Sequence, residues 1–281
     1  MTGVDEGVTE PALRRLVVVT GASSGIGLAA ATALARRGDR LALVGRDPAR
    51  LRAAGEQVHE AGGVKPELFR ADFAVLDDVR RLAEKLRAGY EHIDVLANNA
   101  GAIVLTPVTT IDGFELSIQA NHLAPFLLSN LLHDRVGRIV NTASGAHRSG
   151  ALDPDDFNAP LRRYRSLRAY GTSKQANILF TAEAARRWPE VESYCFHPGV
   201  VRTRFAADSR LVAWGMRIAP LLRTPEQGAD TLLWLAEIDA RQLVDGAYYA
   251  NRRRRRPLPK AADPQLAARL WEASSKAVGL S

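Results

Sequence analysis

The sequence predicts an α/β fold: a Rossmann-type, doubly wound parallel sheet of about seven strands, with helices on both faces. Short runs rich in Val and Leu, bounded by turn residues, alternate along the chain with amphipathic segments of helical length. No internal repeat and no linker-like change in composition divides the 281 residues. We therefore expect a disordered lead-in over residues 1–13 and a single domain over residues 14–281.

The predicted strands are nearly continuous in apolar character. They are Leu16–Thr20, Leu41–Gly45, Glu67–Arg70, Asp94–Asn98, Arg138–Thr142, Val191–Phe196 and Val244–Tyr248. Helical patterns begin between these strands, at about Gly25, Pro48, Leu76, Ile111, Ala169 and Pro225. A last helix is predicted within Asp263–Gly279, with Asp263-Pro264 as its cap and first turn.

Composition argues against several classes of protein. The hydrophobic content of 46% and charged content of 25% are those of an ordinary globular protein. No apolar run approaches the ~20 residues of a membrane helix, and the N-terminus resembles no secretory signal. The single cysteine, Cys195, favours a cytoplasmic protein without disulfides. The net charge is +7, and the run Arg252–Arg256 is interpreted as a solvated loop because no nucleic-acid motif accompanies it.

A glycine-rich loop follows the first predicted strand. It reads Thr20-Gly21-Ala22-Ser23-Ser24-Gly25-Ile26-Gly27 and leads directly into an alanine-rich helix. Glycines permit a tight turn and close backbone approach, while the helix N-terminus presents free N–H groups to a diphosphate. In this strand–turn–helix context the loop predicts a dinucleotide site.

The end of the second strand indicates which dinucleotide is preferred. An acidic residue usually holds the adenine ribose of NAD(H) there, but this strand ends in Gly45 and is followed by Arg46. A guanidinium suits a 2′-phosphate, so NADP(H) is predicted in preference to NAD(H). Asp47 is expected to cap the helix that Pro48 opens.

Tyr170 and Lys174 lie four residues apart in a predicted helix, and hence on one face. A positive charge beside a phenol favours the phenolate and would lower the phenol's pKa toward neutrality. Such a tyrosine can exchange a proton with a carbonyl or alcohol oxygen. Only five of the 38 basic residues are lysine, so a lysine at this position is stronger evidence for a specific role beside Tyr170.

Together these motifs resemble the short-chain dehydrogenases/reductases of the classical type, and most closely the retinol-dehydrogenase-like branch. The resemblance runs from about Leu16 to Leu280. It also covers Asp72, Asn98-Asn99-Ala100-Gly101, Asn121-His122-Leu123-Ala124-Pro125-Phe126, Lys174-Gln175-Ala176-Asn177 and Phe196-His197-Pro198-Gly199.

The resemblance implies a role for each matching residue. Tyr170 would be the general acid or base, Lys174 its tuner, Ser144 a hydrogen-bond donor to the substrate oxygen, and Asn121 the holder of a water linked to Lys174. The implied cofactor contacts are Gly21, Ser23, Ser24, Gly25, Ile26, Gly27, Arg46, Asp72, Phe73, Asn98, Ala100, Gly101, Tyr170, Lys174, Pro198, Gly199, Val201 and Thr203. His197 is expected to have a packing role. No group of residues has metal-ligand spacing, so no metal is predicted.

Two segments are expected to shape a substrate pocket. One is an insert over residues 147–168, with Arg162, Arg163, Arg165 and Arg168; the other is an apolar lid over about residues 205–222. They suggest an apolar ketone or aldehyde. The arginines are either surface residues of an arginine-rich chain or partners of an acidic substituent on the substrate.

The predicted function is NADP(H)-dependent transfer of hydride between the nicotinamide and a carbonyl or alcohol. The alternatives are a non-catalytic nucleotide-binding sensor and an isomerase or lyase that retains its cofactor. A small-molecule substrate is expected, without nucleic acid or membrane insertion. A homo-oligomer is possible through the helices near Ile111–His133 and Ala169–Trp188.

Overall fold

The computed structural model describes residues 14–201 and 222–280, and places their strands in one eight-stranded sheet of order β3-β2-β1-β4-β5-β6-β7-β8. Strands β1 to β7 run parallel and β8 is antiparallel. Their bounds are β1 Leu16–Thr20, β2 Arg40–Gly45, β3 Glu67–Arg70, β4 Ile93–Asn98, β5 Val136–Thr142, β6 Glu192–His197, β7 Tyr248–Ala250 and β8 Arg253–Arg255. The predicted doubly wound fold is confirmed, with one strand more than expected.

Helices cover both faces of the sheet. Their bounds are α1 Gly25–Arg36, α2 Pro48–Gly62, α3 Leu76–Gly89, α4 Leu116–Ile118, α5 Ala124–Leu132, α6 Ala159–Arg162, α7 Ser166–Arg187, α8 Pro225–Glu237 and α9 Pro264–Ala277. Apolar residues of α1, α2 and α8 form a core on one face, and those of α3, α5, α7 and α9 form the core on the other. Side chains of a strand alternate between the faces, so Val18 joins one core and Val17 and Val19 the other.

The C-terminal helix α9 packs on α5 and α7 through aromatic side chains. Trp271 is 6% exposed and lies 5.1 Å from Phe126 and 4.9 Å from Trp188, centroid to centroid. The guanidinium of Arg187 covers its ring at 4.8 Å. Asp263 caps the helix by accepting from the backbone N–H groups of residues 265 and 266, as predicted. The last helix thus belongs to the core.

The last two strands differ from the sequence prediction. The segment predicted as Val244–Tyr248 begins with a turn, because the Asp245 carboxylate accepts from the backbone N–H groups of Ser193 and Gly246. The strand therefore starts only at Tyr248. Part of the run Arg252–Arg256, predicted to be a loop, forms β8. Both Asn251 and Arg252 have positive φ, at 55° and 56°, as in a two-residue hairpin turn. Exposed charged side chains on an edge strand discourage further strand pairing.

The fourth crossover also differs. Its helix begins at Leu116 rather than near Ile111, because the Glu115 carboxylate caps it by accepting from the N–H groups of Ser117 and Ile118. The π-helical segment Gln119–Leu123 then separates α4 from α5. Such segments are often found at functional sites, and this one carries Asn121.

Candidate active site

The glycine loop is held against the end of β4 by Thr20. Its hydroxyl accepts from the backbone N–H groups of Asn99 and Ala100, at 2.9 and 3.0 Å. A Cβ at Gly21, where φ is +66°, would lie 2.8 Å from the Ala100 Cα, and one at Gly27 would lie 2.3 Å from the Gly21 carbonyl oxygen. Only glycine permits this approach of the two chain segments.

The first turn of α1 fits the diphosphate of a dinucleotide. Ser24 stands at the N-cap in extended conformation, and neither its side chain nor an acidic residue in the first turn of the helix satisfies the N–H groups there. Ser23 lies near Gly45 of the next strand. Ile26 and Val201 both lie against Gly228, since a Cβ at Gly228 would come within 3.1 Å of each of their side chains.

Two guanidinium groups lie at the ends of β2 and β3. Asp47 caps α2 by accepting from Arg50 N at 2.9 Å, as predicted, so this carboxylate is already engaged. Arg46 is exposed, and no carboxylate of the described residues forms an ion pair with it. Gly45 pairs in register with Arg70, so a second arginine stands at this end of the sheet, next to the strand end that Arg46 follows. The side chain of Arg70 is 61% exposed and lies 3.8 Å from the Asp78 carboxylate.

After β3, Asp72 and Phe73 behave differently. One carboxylate oxygen of Asp72 accepts from Ala74 N at 3.0 Å, which shapes the turn. Phe73 is 7% exposed and packs in the core, so its side chain does not line the cleft.

After β4, Asn98 also departs from its expected place in the cleft. Its amide nitrogen donates to Ser129 Oγ and Asn141 Oδ1, each at 2.9 Å, inside the core. Its side chain is 3% exposed. Gly101 does border the catalytic groups, since a Cβ there would lie 2.9 Å from Asn121 Oδ1 and 3.5 Å from Lys174 Nζ.

The structure brings Ser144, Tyr170 and Lys174 together at the carboxyl end of β5. The hydroxyls of Ser144 and Tyr170 are hydrogen-bonded. Lys174 Nζ lies 5.4 Å from the centroid of the Tyr170 ring and donates to the carbonyl oxygen of Thr142 at 2.9 Å. A phenol, a hydroxyl and an ammonium at one site can bind and protonate a carbonyl oxygen.

Burial determines the protonation of this pair. It raises the pKa of Tyr170 to about 12, against which the bond from Ser144 acts. It lowers the pKa of Lys174 to about 7. The sequence argument expected a phenol pKa lowered toward neutrality. Desolvation is the largest cause of the Tyr170 shift, and the same burial disfavours the charged form of Lys174 that would support a phenolate.

Asn121 is tied to the loop after β4. Its Nδ2 donates to the carbonyl oxygen of Ala102 at 2.9 Å and to Ser173 Oγ at 3.0 Å, and its Oδ1 accepts from Ala102 N at 2.8 Å. These bonds use both Nδ2 donors and one of the two acceptor sites of Oδ1, so the expected water at Asn121 stays a prediction. Its structural effect is to fasten this loop beside Lys174.

Two histidines hold the chain around Ser144. His197 Nδ1 accepts from Gly145 N at 3.2 Å, and burial lowers the His197 pKa to about 4, which keeps the ring neutral. His147 Nδ1 lies 2.7 Å from the Ser144 carbonyl oxygen. This arrangement agrees with the predicted packing role of His197.

After β6, Pro198 and Gly199 are held by Arg223. Its side chain lies against Gly199, whose φ is +86°, and donates to the carbonyl oxygen of Pro198 at 3.3 Å. Val201 forms a parallel bridge with the same arginine. Thr203 and nearly all of the predicted lid, residues 205–222, lie outside the described residues.

The arginines of the insert surround one small cavity. Its volume is about 140 Å³, and its lining comprises Ala151, Ala159, Pro160, Arg162, Arg163, Arg165 and Arg168. Arg168 and Tyr170 are two residues apart in α7, which is about 200° around a helix. The cavity and Tyr170 therefore lie on different sides of α7.

The described part of the chain contains neither a candidate metal site nor a candidate membrane-spanning helix. Within residues 14–201 and 222–280, no group of three His, Cys, Asp or Glu side chains could hold a metal ion. Over the same ranges, no helix is both long and apolar enough to cross a membrane.

Comparison with known proteins identifies the family. The sequence model of the short chain dehydrogenases matches residues 15–212. This chain belongs to that family. A protein of Streptomyces sp. (strain C5) named "Putative daunorubicin C-13 ketoreductase DnrU" is 51% identical over 94% of this chain and 93% of its own. Human retinol dehydrogenase 13 is 36% identical over 95% of this chain and 85% of its own, which confirms the predicted branch.

Solved structures agree with the family. A Mycobacterium paratuberculosis protein superposes with a TM-score of 0.79 at 34% identity, covering 94% of this chain and 93% of that one. A short-chain dehydrogenase from Sphingobium yanoikuyae, solved with NADPH, gives 0.64 at 27% identity over 78% and 82% of the two chains. The chain is therefore an oxidoreductase of the short-chain dehydrogenase family acting on alcohol or carbonyl groups.

Some residues of the site were missed from the sequence. Thr142 contributes only a backbone oxygen, and Thr20 and Arg223 act through long-range contacts, so no local pattern marks them. Asn177 stands in the stretch that carried the family resemblance but had no role assigned. Its spacing of three from Lys174, on one helix face, is the signal that could have drawn attention to it.

Proposed function

We propose that the protein reduces a ketone or aldehyde of largely apolar character with NADPH, and that the reaction is reversible. One observation carries the proposal. The hydroxyls of Ser144 and Tyr170 are hydrogen-bonded to each other beside Lys174 at the carboxyl end of the sheet, where the glycine loop also lies. The 51% identical relative with "ketoreductase" in its name supports a ketone.

In this mechanism the chain's residues bind and protonate the substrate oxygen. The nicotinamide, when bound, supplies the hydride to the carbonyl carbon. Ser144 donates a hydrogen bond to the carbonyl oxygen as negative charge grows on it, and Tyr170 transfers its hydroxyl proton to the same oxygen. Lys174 stabilises the phenolate left behind and would also hold the nicotinamide ribose. Asn121 keeps the loop after β4 in place.

The protonation state supports reduction as the readier direction. A buried phenol with a pKa of about 12 holds its proton at neutral pH and is ready to act as an acid. Oxidation of the alcohol needs the phenolate, which is scarce at that pH.

Replacement of Tyr170 by phenylalanine tests the proposal. We expect NADPH oxidation with a panel of ketones, including daunorubicin, to fall by ~10²–10⁴-fold in Tyr170→Phe. Tyr249→Phe is the matched control, because it removes a hydroxyl that bonds to the backbone of Val244 instead. Full activity in Tyr170→Phe would show that another group supplies the proton.

We propose NADP(H) as the preferred cofactor because Arg46 and Arg70 flank the end of β2, where Gly45 provides no carboxylate. The NADPH complexes of structural neighbours support this choice. We expect Arg46→Ala to weaken NADPH binding by ~10-fold or more and NADH binding little. Titration of cofactor fluorescence measures both. Equal losses for the two cofactors would contradict a 2′-phosphate contact.

The alternatives make different predictions. A nucleotide sensor would bind NADPH but oxidise none of it with any ketone, and it has no need of Ser144, Tyr170 and Lys174 together. An isomerase or lyase would retain its cofactor through purification and convert substrate without net NADPH consumption. The catalytic constellation favours the reductase over the sensor.

Assembly, domain organisation and compartment are further parts of the proposal. Self-association through α5 and α7 would use only the surface that α9 leaves uncovered, because Trp271 already packs on both helices. Light scattering measures the mass in solution.

A single cooperative unfolding transition is expected for one domain over residues 14–281. Cell fractionation tests the cytoplasmic location.

A further inference from the structure

Asn177 lies behind the catalytic lysine, one turn farther along α7. Its side chain is 4% exposed, and its Nδ2 donates to two backbone carbonyl oxygens: that of Asn121 at 2.9 Å and that of Thr142 at 3.2 Å. The Thr142 oxygen is also the acceptor for Lys174 Nζ. The amide therefore joins the π-helical segment that carries Asn121 to the strand end that holds the lysine.

The orientation of the Asn177 amide is fixed from its other side. Its Oδ1 lies 3.3 Å from His122 Nδ1, and His122 Nε2 lies 3.0 Å from Ser274 Oγ in α9. His122 is fully buried, and burial lowers its pKa to about 4, so the ring is neutral. A neutral imidazole has one donor and one acceptor. If Nδ1 donates to Asn177, then Nε2 accepts from Ser274, and the Asn177 nitrogen faces the carbonyls.

Few other groups constrain the lysine. Lys174 faces the Tyr170 ring on its own helix, the Thr142 oxygen on β5, and the Asn121 side chain across Gly101. Within the described ranges, no carboxylate forms an ion pair with it. The position of Nζ therefore depends on how strongly the Thr142 oxygen attracts it, and Asn177 shares that oxygen.

We infer that Asn177 is a positioning residue for Lys174: by donating to the Thr142 and Asn121 carbonyls it prevents them from drawing the ammonium away from Tyr170. The inference rests on the proposed reductase function. Without the amide, the Asn121 carbonyl would lose this donor and the Thr142 carbonyl would keep only the ammonium, which it would then hold more tightly. Tyr170 would then lose the positive charge that supports its phenolate.

The variant Asn177→Ala tests this role. We expect kcat to fall about tenfold while KM for the ketone changes less than threefold, because substrate contacts are intact. We also expect the midpoint of the pH profile of alcohol oxidation, where the rate is half of its high-pH plateau, to rise by about one pH unit. Asn177→Asp keeps the volume and the acceptor but removes the donors, so the same shift is expected there. The aspartate variant provides the test if the alanine variant fails to fold.

Ser274→Ala is the matched control. It removes a buried hydroxyl at the far end of the same chain of hydrogen bonds, but leaves both carbonyls with their Asn177 donor. It should lower the midpoint of thermal unfolding without moving the pH profile. Unchanged pH profiles in Asn177→Ala and Asn177→Asp, or an equal shift in Ser274→Ala, would overturn the inference.

A measurement that needs no turnover separates this inference from the proposed function. The phenolate of Tyr170 is followed by ultraviolet absorbance, as the difference between each protein and its Tyr170→Phe derivative. Asn177→Ala should raise the pH of this transition, whatever the substrate. A chain that proved not to be a reductase could still show the shift. An unchanged transition would overturn the positioning role even in an active reductase.

Discussion

The buried lysine should make the chain less stable than it could be. Lys174 is 2% exposed and donates a hydrogen bond to the Thr142 carbonyl oxygen. The replacement Lys174→Met keeps similar length and apolar character. It does not leave the Thr142 oxygen without a donor, because Asn177 still bonds to it. We expect the variant to be more stable than the natural chain, although without activity.

The magnitude follows from the pKa of Lys174. Burial lowers this pKa from 10.5 to about 7, which at ~1.4 kcal/mol per unit sets an upper limit of about 5 kcal/mol. Lost contacts of the side chain reduce the gain to about 1–3 kcal/mol near pH 7. Between pH 7 and 10.5 the unfolded chain binds more protons than the folded one. The stability of the natural chain therefore rises with pH in this window, and the gain in the variant shrinks.

Urea unfolding at several values of pH from 6.5 to 9.5 measures the difference. This range ends below pH 10, above which the raised pKa of Tyr170 makes stability fall as pH rises. Lys85→Met, the same substitution at an exposed lysine of α3, is the control, and its effect should not vary in this way. A Lys174→Met variant that is less stable by the same amount at every pH would refute the reasoning.

Three further predictions use other parts of the structure. Gly27→Ala should abolish NADPH binding and lower the free energy of unfolding by ~1–3 kcal/mol or more, because its Cβ would meet the Gly21 oxygen at 2.3 Å. The control is Gly89→Ala, whose Cβ would have nothing within 4 Å. In urea unfolding it should be neutral or slightly stabilising. Trp271→Ala should cost about 3–5 kcal/mol in urea unfolding. Alcohol oxidation should rise about tenfold per pH unit through the neutral range, while ketone reduction stays level, in initial-rate assays.

Local patterns predicted the first six strands to within two residues at either end, because most strands of this parallel sheet are apolar on both faces and bounded by turn residues. They failed at β7 and β8. The turn before Tyr248 depends on a contact of Asp245 with Ser193, 52 residues away in sequence. The arginine strand forms because β7 offers it a free edge and Asn251 begins a hairpin turn, which composition alone does not show.

The candidate site shows the same division. Positions along the backbone were predicted well: Ser144, Tyr170, Lys174 and the glycine loop meet at the carboxyl ends of the strands. Side-chain partners were not. Asn98 turns into the core toward Ser129, 31 residues away in sequence. The residues adjacent in sequence to Asn98 and to Ser129 give no sign of that contact.

The buried polar groups around Lys174 and the aromatic packing of α9 are physically linked. A lysine and a neutral histidine in one core weaken it unless hydrogen bonds and apolar burial compensate. Helix α9 supplies both, since Ser274 bonds to His122 and Trp271, one turn earlier, packs against Phe126 and Phe180. None of the 14 residues of α9 belongs to the candidate active site. Helix α9 therefore contributes the stability that offsets the cost of burying Lys174, whose pKa burial lowers to about 7, beside Tyr170.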